Sequence, residues 1–136
     1  MPKRIYKIQG ISLGTASSNT RYGRKEDSLL VTLPQESILS GKFTSNKLKA
    51  APVKLAIENL SNSKKAKKVL LINAGNANAA TGPKGLKDVR KYCKEIALDF
   101  KTSQENVIPF STGVIGEPLA TENYLSAFRE ASKGLS

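Results

Sequence analysis

The chain has 136 residues, of which 39% are hydrophobic, and it carries a formal net charge of +11 at pH 7. This length suits one domain of ordinary size, and its apolar runs are too short to cross a membrane. With one cysteine and no histidine, the chain cannot form an internal disulfide, a His-based metal site or a Ser-His-Asp or Cys-His catalytic group. No signal peptide is evident, and we expect a cytoplasmic protein.

Two basic clusters carry much of the positive charge. Residues 1–25 contain six Lys or Arg residues and no acidic residue, and the second cluster consists of Lys64, Lys65, Lys67 and Lys68. Such a balance is typical of proteins that bind nucleic acid, an acidic small substrate or an acidic partner chain. It is equally typical of a solvated, lysine-rich surface, so charge alone does not select a function.

Apolar patterns predict three strands and one helix in the first half of the chain. A strand is predicted around Ile11 and Leu13 within residues 4–14, limited or bulged by Gly10 and Gly14. The run Ser28–Leu33 alternates little, which predicts a strand covered on both faces, and residues 42–46 resemble a further strand. A helix is predicted over residues 52–60, with one apolar face made of Val53, Ala56, Ile57 and Leu60.

The second half alternates strands with helices. Residues 69–73 form the most apolar short run and predict a central, buried strand, and residues 107–110 predict another. Residues 84–100 predict a helix with Leu86, Val89, Cys93, Ile96, Ala97 and Phe100 on one face, which makes Cys93 a core residue. Residues 121–131 predict a last amphipathic helix. This order is typical of an α/β or α+β domain with helices packed on a sheet.

The loop over residues 73–83 is made of small residues and amides. Asn73, Asn76 and Asn78 could each satisfy buried backbone groups or contact a ligand. For each asparagine taken singly, the structural role is the favoured interpretation.

The stretch STGVIGE at residues 111–117 follows an apolar run and precedes the last helix. A glycine-bearing turn between a strand and a helix can aim backbone N–H groups at one point, which is what an oxyanion or another anion needs. Gly113 would allow a ligand to approach the backbone closely. The alternative interpretation is a plain tight turn, because two glycines in a turn are common.

Three stretches together carry more information than the composition. They are FTSN at 43–46 with AAPV at 50–53, NAGNANAATG at 73–82, and STGVIGE at 111–117. In this order and spacing, the chain from about residue 10 onward resembles the ornithine acetyltransferase family, the bifunctional glutamate N-acetyltransferases of arginine biosynthesis.

The resemblance implies a fold and a reaction. Residues 1–136 would be a single partial domain, the N-terminal portion of the α chain of a self-cleaving, N-terminal-nucleophile-like acetyltransferase built as a layered sandwich of β-sheet with packed helices. Family members cut their precursor into an α and a β chain. The new N-terminal threonine of the β chain takes acetyl from N-acetylornithine and passes it to glutamate, and some members also use acetyl-CoA.

The resemblance also implies site residues and partners. The Thr112 hydroxyl and the Gly113 N–H would stabilise the oxyanion, and neither a metal nor a cofactor is implied. The partners would be the C-terminal remainder and the threonine-bearing β chain in an α2β2 heterotetramer, with neither membrane nor nucleic acid. The chain lacks the segment with the family's nucleophile and cleavage site, so we expect it to be inactive alone and to fold poorly by itself.

Two rival interpretations remain. A basic nucleic-acid-binding module is favoured by the charge, although the chain has no aromatic stacking motif. A non-catalytic fragment would keep the Thr112–Gly113 turn for packing only.

Overall fold

The computed structural model describes residues 6–136, which form four strands, three α-helices and one short 3-10 turn. In chain order these are β1 (Ser12–Ala16), β2 (Ser28–Leu33), α1 (Ala51–Ser61), β3 (Lys68–Asn73), α2 (Gly82–Asp99), the 3-10 turn Gln104–Asn106, β4 (Val107–Ser111) and α3 (Thr121–Lys133). The predicted α+β arrangement of helices on a sheet is confirmed.

The four strands make one sheet in the order β1-β2-β3-β4. The β1–β2 and β2–β3 pairs are antiparallel, whereas β3 and β4 are parallel. The parallel pair requires a long crossover, which α2 supplies. Because β3 and β4 run the same way, their C-terminal residues Asn73 and Ser111 are direct partners. The loops that follow these two strands therefore leave the sheet at the same edge.

All three helices cover one face of the sheet and enclose the core. The inner face contributes Leu30, Leu71 and Val107, all fully buried, and the rings of Tyr92 in α2 and Phe128 in α3 meet edge to face at 5.5 Å. Each large apolar side chain buried in this way stabilises the fold by about 1.5–3 kcal/mol.

The opposite face of the sheet is also apolar but is less covered. Leu30 and Val31 of β2 point to opposite faces and both are buried, as the continuous apolar run predicted. On the same outer face as Val31, Leu13 of β1 and Phe110 of β4 remain 43% and 45% exposed. The outer face therefore presents an apolar surface on its two edge strands.

The predicted strand at residues 42–46 is wrong. The segment pairs with no strand formed by residues 6–136, and its polar side chains bond to the local backbone instead. The Asn46 N–H donates to Thr44 Oγ1 over 3.1 Å, and the Leu48 N–H donates to Asn46 Oδ1 over 2.9 Å. Such short-range bonds satisfy backbone groups that a sheet would otherwise pair.

The predicted face of α1 is partly wrong. Of its four members only Ala56 is buried, and the residues that face the core are Ala51, Pro52, Leu55, Ala56 and Asn59. The Asn59 side chain explains why α1 turns a different face to the core than the one predicted. Its Nδ2 donates to the carbonyls of Gln104 and Val107 over 3.2 and 2.8 Å. A pattern that counts only apolar residues does not detect a buried amide at this position.

The first strand is displaced toward the C-terminus relative to its prediction. β1 begins at Ser12, while residues 1–5, which include the start of the predicted segment, lie outside the described residues. Gly14 stands inside the strand and neither limits nor bulges it. A Cβ at Gly14 would lie 1.9 Å from the Ala131 carbonyl oxygen, so glycine is what allows α3 to approach the sheet.

The two long helices agree with their predictions. α2 begins two residues earlier than expected and buries Val89, Cys93, Ile96 and Ala97 of the predicted face, together with Tyr92. Cys93 is therefore a core residue, and burial raises the pKa of its thiol. Within residues 6–136, no helix has both the length and the apolar character needed to cross a bilayer.

Candidate active site

The candidate site lies at the sheet edge where β3 and β4 end, and the two loops that leave this edge are bonded to each other. The Val114 N–H donates to the Gly75 carbonyl over 3.3 Å, and the Val114 carbonyl accepts from the Ala77 N–H over 2.9 Å. Two residues later, the Gly116 N–H donates to the Ala79 carbonyl over 2.8 Å. The loop 74–81 and the turn 112–118 thus continue the strand pairing beyond the sheet.

Asn73 fastens the start of the turn. Its Oδ1 accepts from the Ser111 hydroxyl over 2.6 Å, and its Nδ2 donates to the Asn76 carbonyl over 2.9 Å. Its backbone carbonyl accepts from the Thr112 N–H over 3.0 Å. Asn73 is fully buried, so all of its interactions are internal to the fold.

Asn76 and Asn78 hold the far side of the turn and the start of α2. Asn76 Nδ2 donates to the carbonyls of Glu117 and Pro118 over 3.3 and 3.1 Å, and Asn76 Oδ1 accepts from the Asn78 N–H over 2.7 Å. Asn78 Nδ2 donates to the Gly85 carbonyl over 2.9 Å. The structural interpretation of the three asparagines is therefore confirmed.

Gly113 lies directly against the peptide between Gly75 and Asn76. Its φ is +129°, a conformation that side-chain-bearing residues rarely adopt, and a Cβ there would lie 2.4 Å from the Gly75 carbonyl carbon. The same Cβ would lie 2.6 Å from the Asn76 nitrogen. Only glycine allows the turn to pack this closely on the neighbouring loop.

The turn leaves two adjacent donors unpaired. The N–H groups of Thr112, Val114 and Gly116 are all bonded to the neighbouring strand or loop. Among residues 6–136, neither the Thr112 hydroxyl nor the Gly113 N–H has a hydrogen-bond partner, and both residues are exposed. The two groups that the resemblance assigned to the oxyanion thus lie on adjacent, exposed residues of the turn, between the bonded N–H groups of Thr112 and Val114.

Arg21 also contacts this site, although the sequence indicated it only as one member of the first basic cluster. Its Nε donates to the Gly75 carbonyl over 3.1 Å, and its Nη2 lies 2.5 Å from Glu117 Oε2. The guanidinium therefore joins the two loops of the site from outside. Because both partners of the ion pair are substantially exposed, the pair itself contributes at most about 1 kcal/mol.

Tyr124 ties α3 to the same edge of the sheet. Its hydroxyl donates to the Ala74 carbonyl over 2.9 Å and accepts from the Thr20 hydroxyl over 3.3 Å. The sequence indicated Tyr124 only as an apolar position of α3. The aromatic ring packs in the core as that pattern indicated, while the hydroxyl fixes Ala74, the first residue of the amide-rich loop.

Solved structures of similar fold define the class of protein. The structure of ornithine acetyltransferase complexed with ornithine from Mycobacterium tuberculosis matches with a TM-score of 0.85 at 25% identity, over 94% of this chain and 68% of that chain. Arginine biosynthesis bifunctional protein ArgJ from Bacillus halodurans matches with a TM-score of 0.78 at 28% identity, over 90% of this chain and 63% of that chain. The chain has the fold of the ornithine acetyltransferases, which is of the N-terminal-nucleophile type.

The family follows from sequence comparison. The sequence model of the ArgJ family matches residues 12–136, so the chain belongs to the ArgJ family. The proteins named arginine biosynthesis bifunctional protein ArgJ are 41% identical in Methylococcus capsulatus, over 98% of this chain, and 36% identical in Colwellia psychrerythraea, over 100% of it. The chain spans 32% and 34% of those two relatives. This membership confirms the resemblance and favours the enzyme over a basic nucleic-acid-binding module.

Proposed function

We propose that this chain supplies the oxyanion-stabilising donors of an acetyltransferase that moves an acetyl group from N-acetylornithine to glutamate. The observation that carries the proposal is the pair of unpaired donors, the Thr112 hydroxyl and the Gly113 N–H, on a turn whose neighbouring amides are bonded. Preorganised donors of this kind stabilise a developing oxyanion because they need no rearrangement when the charge forms. Membership in the ArgJ family supports the choice of reaction.

The reaction would run in two acyl-transfer steps. A threonine hydroxyl of a second chain attacks the acetyl carbonyl carbon of N-acetylornithine, a C–O bond forms, and the C–N bond breaks as ornithine leaves with the hydroxyl proton. The α-amine of glutamate then attacks the resulting ester, so that N-acetylglutamate forms and the threonine hydroxyl regains a proton. In both tetrahedral intermediates, the negative carbonyl oxygen would accept hydrogen bonds from Thr112 and Gly113.

The remaining components of the enzyme would come from outside this chain. We assign residues 1–136 to a partial domain of the α chain, and the nucleophile to a β chain in an α2β2 heterotetramer located in the cytoplasm. Because residues 1–136 would contribute donors without a nucleophile, the chain by itself would transfer no acetyl groups. An enzyme-dependent yield of N-acetylglutamate from the isolated chain would contradict this assignment.

The decisive variant is Thr112→Val in the complete enzyme, because valine keeps the shape of threonine and removes the hydroxyl. Loss of one oxyanion donor lowers kcat by about 10²–10³. The matched control is Thr112→Ser, which retains a hydroxyl and should retain most of the activity. Both variants should melt like the parent enzyme, since Thr112 is exposed. Full activity of a folded Thr112→Val enzyme would show that the turn serves packing alone.

A further inference from the structure

The loop between β1 and β2 lies at the same edge of the sheet as the candidate active site. Because β1, β3 and β4 run in the same direction, their last residues and the first residue of β2 form one row across the sheet: Ala16, Ser28, Asn73 and Ser111. Residues 17–27 therefore leave the sheet at the edge that also carries the loop 74–81 and the turn 112–118. The proposed function assigns no role to this third loop.

The loop 17–27 is held in place by a buried carboxylate. Asp27 Oδ1 accepts from the Ser18 N–H over 2.8 Å, and Asp27 Oδ2 accepts from the Ser18 hydroxyl over 2.6 Å. The Asp27 carbonyl accepts from the Ala74 N–H over 2.8 Å, and the Ser18 carbonyl accepts from Asn123 Nδ2 over 3.2 Å. The backbone that carries Arg21 is thus fastened to the neighbouring loop and to α3 by contacts that do not involve Arg21 itself.

Arg21 meets the turn at the Gly75 carbonyl. This carbonyl accepts from Arg21 Nε over 3.1 Å and from the Val114 N–H over 3.3 Å, so one acceptor joins the arginine to the turn. A Cβ at Gly75 would lie 3.3 Å from Arg21 Cβ, and a Cβ at Gly113 would lie 2.7 Å from the Gly75 carbonyl oxygen. The arginine side chain and the Gly113 backbone therefore pack on the same peptide group.

The other end of the guanidinium reaches the far end of the turn. Arg21 Nη2 lies 2.5 Å from Glu117 Oε2, while Arg21 Nε bonds to Gly75. One planar group thus spans the turn from its contact with Gly75 to Glu117. A guanidinium holds two separated acceptors in a fixed geometry, which the point charge of a lysine ammonium does not reproduce.

We propose that Arg21 is a positioning residue for the reaction. Its guanidinium would fix the turn 112–118 against the loop 74–81 and so keep the Thr112 hydroxyl and the Gly113 N–H aimed at the oxyanion. The inference rests on the proposed function, and Arg21 acts through Gly75 and Glu117 without touching the substrate. Position matters here because a displacement of about 1 Å can lower a rate by about 10²-fold.

The test compares Arg21→Met with Arg24→Met in the complete enzyme. Arg24 lies in the same loop, is exposed and forms no ion pair with any of residues 6–136, so the control has the same change in charge. We expect Arg21→Met to lower kcat about tenfold, because an exposed ion pair and a charge-assisted hydrogen bond are both lost. The KM values of this variant, and both constants of the control, should stay within about twofold of the parent.

Two further variants test whether both contacts of the guanidinium are needed. Arg21→Lys keeps the charge and should recover only part of the lost kcat. Adding Glu117→Gln to Arg21→Met should lower kcat little further, because both changes remove the same contact. Full kcat in the Arg21→Lys enzyme would overturn the proposed two-point contact. A raised KM with unchanged kcat in Arg21→Met would assign Arg21 to substrate binding and overturn its positioning role.

Amide exchange gives a measurement that is independent of turnover. In Arg21→Met, the Val114 amide should exchange about tenfold faster, while that of Thr112, which is bonded to β3, should change by less than about twofold. An equal acceleration at both residues would indicate a general loss of stability and overturn the inference, as would unchanged exchange at Val114.

The two measurements separate this inference from the proposed function. A parent enzyme that transfers acetyl from N-acetylornithine to glutamate, with a kcat that Arg21→Met leaves unchanged, overturns the inference and leaves the proposed function intact. A parent enzyme that transfers no acetyl group contradicts the proposed function, and faster exchange at Val114 alone would still support the hold of Arg21 on the turn.

Discussion

The Ser111 hydroxyl donates a hydrogen bond of 2.6 Å to Asn73 Oδ1 and so joins the C-terminal ends of two parallel strands. The next residue after Ser111 is Thr112, whose N–H bonds to the Asn73 backbone carbonyl. The orientation of the turn that carries Thr112 and Gly113 is therefore set by a buried amide in the neighbouring strand. Asn73 therefore positions the turn and does not itself contact a substrate, since it has no exposed atom.

Replacing Asn73 by alanine should destabilise the protein clearly. The change leaves the Asn76 carbonyl and the half-buried Ser111 hydroxyl without their partner. A polar group left unpaired costs about 1–3 kcal/mol when it is buried, and less when water can reach it. The control is Asn62→Ala, because Asn62 is exposed and its Nδ2 donates to the Glu58 carbonyl of the adjoining helix α1. Urea unfolding of the complete enzyme measures both changes. Equal midpoints for the two variants would contradict the assigned role of Asn73.

A methyl group at Gly113 should abolish most of the acetyl transfer. A Cβ there lies 2.4 Å from the Gly75 carbonyl carbon, so the turn must move away and carry its N–H with it. We expect kcat to fall by about 10²–10³, as for loss of one oxyanion donor. Gly116→Ala is the matched control, since Gly116 also has a positive φ, of +82°, but its Cβ would meet nothing within 4 Å. That variant should cost about 1 kcal/mol of stability and keep its activity.

The apolar outer face of the sheet should make the isolated chain self-associate. Leu13 and Phe110 are large and nearly half exposed, and both lie on edge strands. Exposed apolar surface on a sheet edge is a site of aggregation. Sedimentation of residues 1–136 should show oligomers, and the double variant Leu13→Thr, Phe110→Thr should reduce them. A monomeric chain with a cooperative melt would contradict this prediction and the expectation that the chain folds poorly by itself.

Cys93 should be inert in the folded protein. Burial raises its pKa, so the thiolate that reacts with disulfide reagents is nearly absent at pH 8. Because the folded thiol holds its proton more tightly than the unfolded one, its contribution to stability is complete below about pH 8.5 and is lost as the pH rises above that value. Labelling with a disulfide reagent should proceed at the rate of unfolding, and Cys93→Ala should flatten the alkaline fall in stability. Rapid labelling of the native protein would place the thiol outside the core.

The contrast between α1 and α2 shows what the sequence reveals about the fold. The core face of α2 is readable because Val89, Cys93 and Ile96 repeat with the helix period. The core face of α1 is not readable in this way, because the amide of Asn59 is buried by partners 45 and 48 residues away. A strand at residues 42–46 could not be excluded locally, since a strand exists only when another strand pairs with it.

Part of the candidate site could likewise be predicted from the sequence, and part of it could not. The turn around Gly113 is visible as a glycine between an apolar run and a helix, but the roles of Thr112 and Gly113 came from the resemblance to a family. Arg21 was not identifiable, because its partner Glu117 is 96 residues away. Such a contact depends on the whole fold and leaves no local pattern.

The alternation of bonded and unbonded amides along the turn has a consequence for hydrogen exchange. The amide protons of Thr112, Val114 and Gly116 are held by the adjacent strand and loop, whereas that of Gly113 has no acceptor within residues 6–136. Gly113 should therefore exchange with deuterium rapidly between two protected neighbours. An oxyanion mimic bound at the turn would slow the exchange of this one proton, which would give a residue-resolved signal of occupancy that does not depend on turnover.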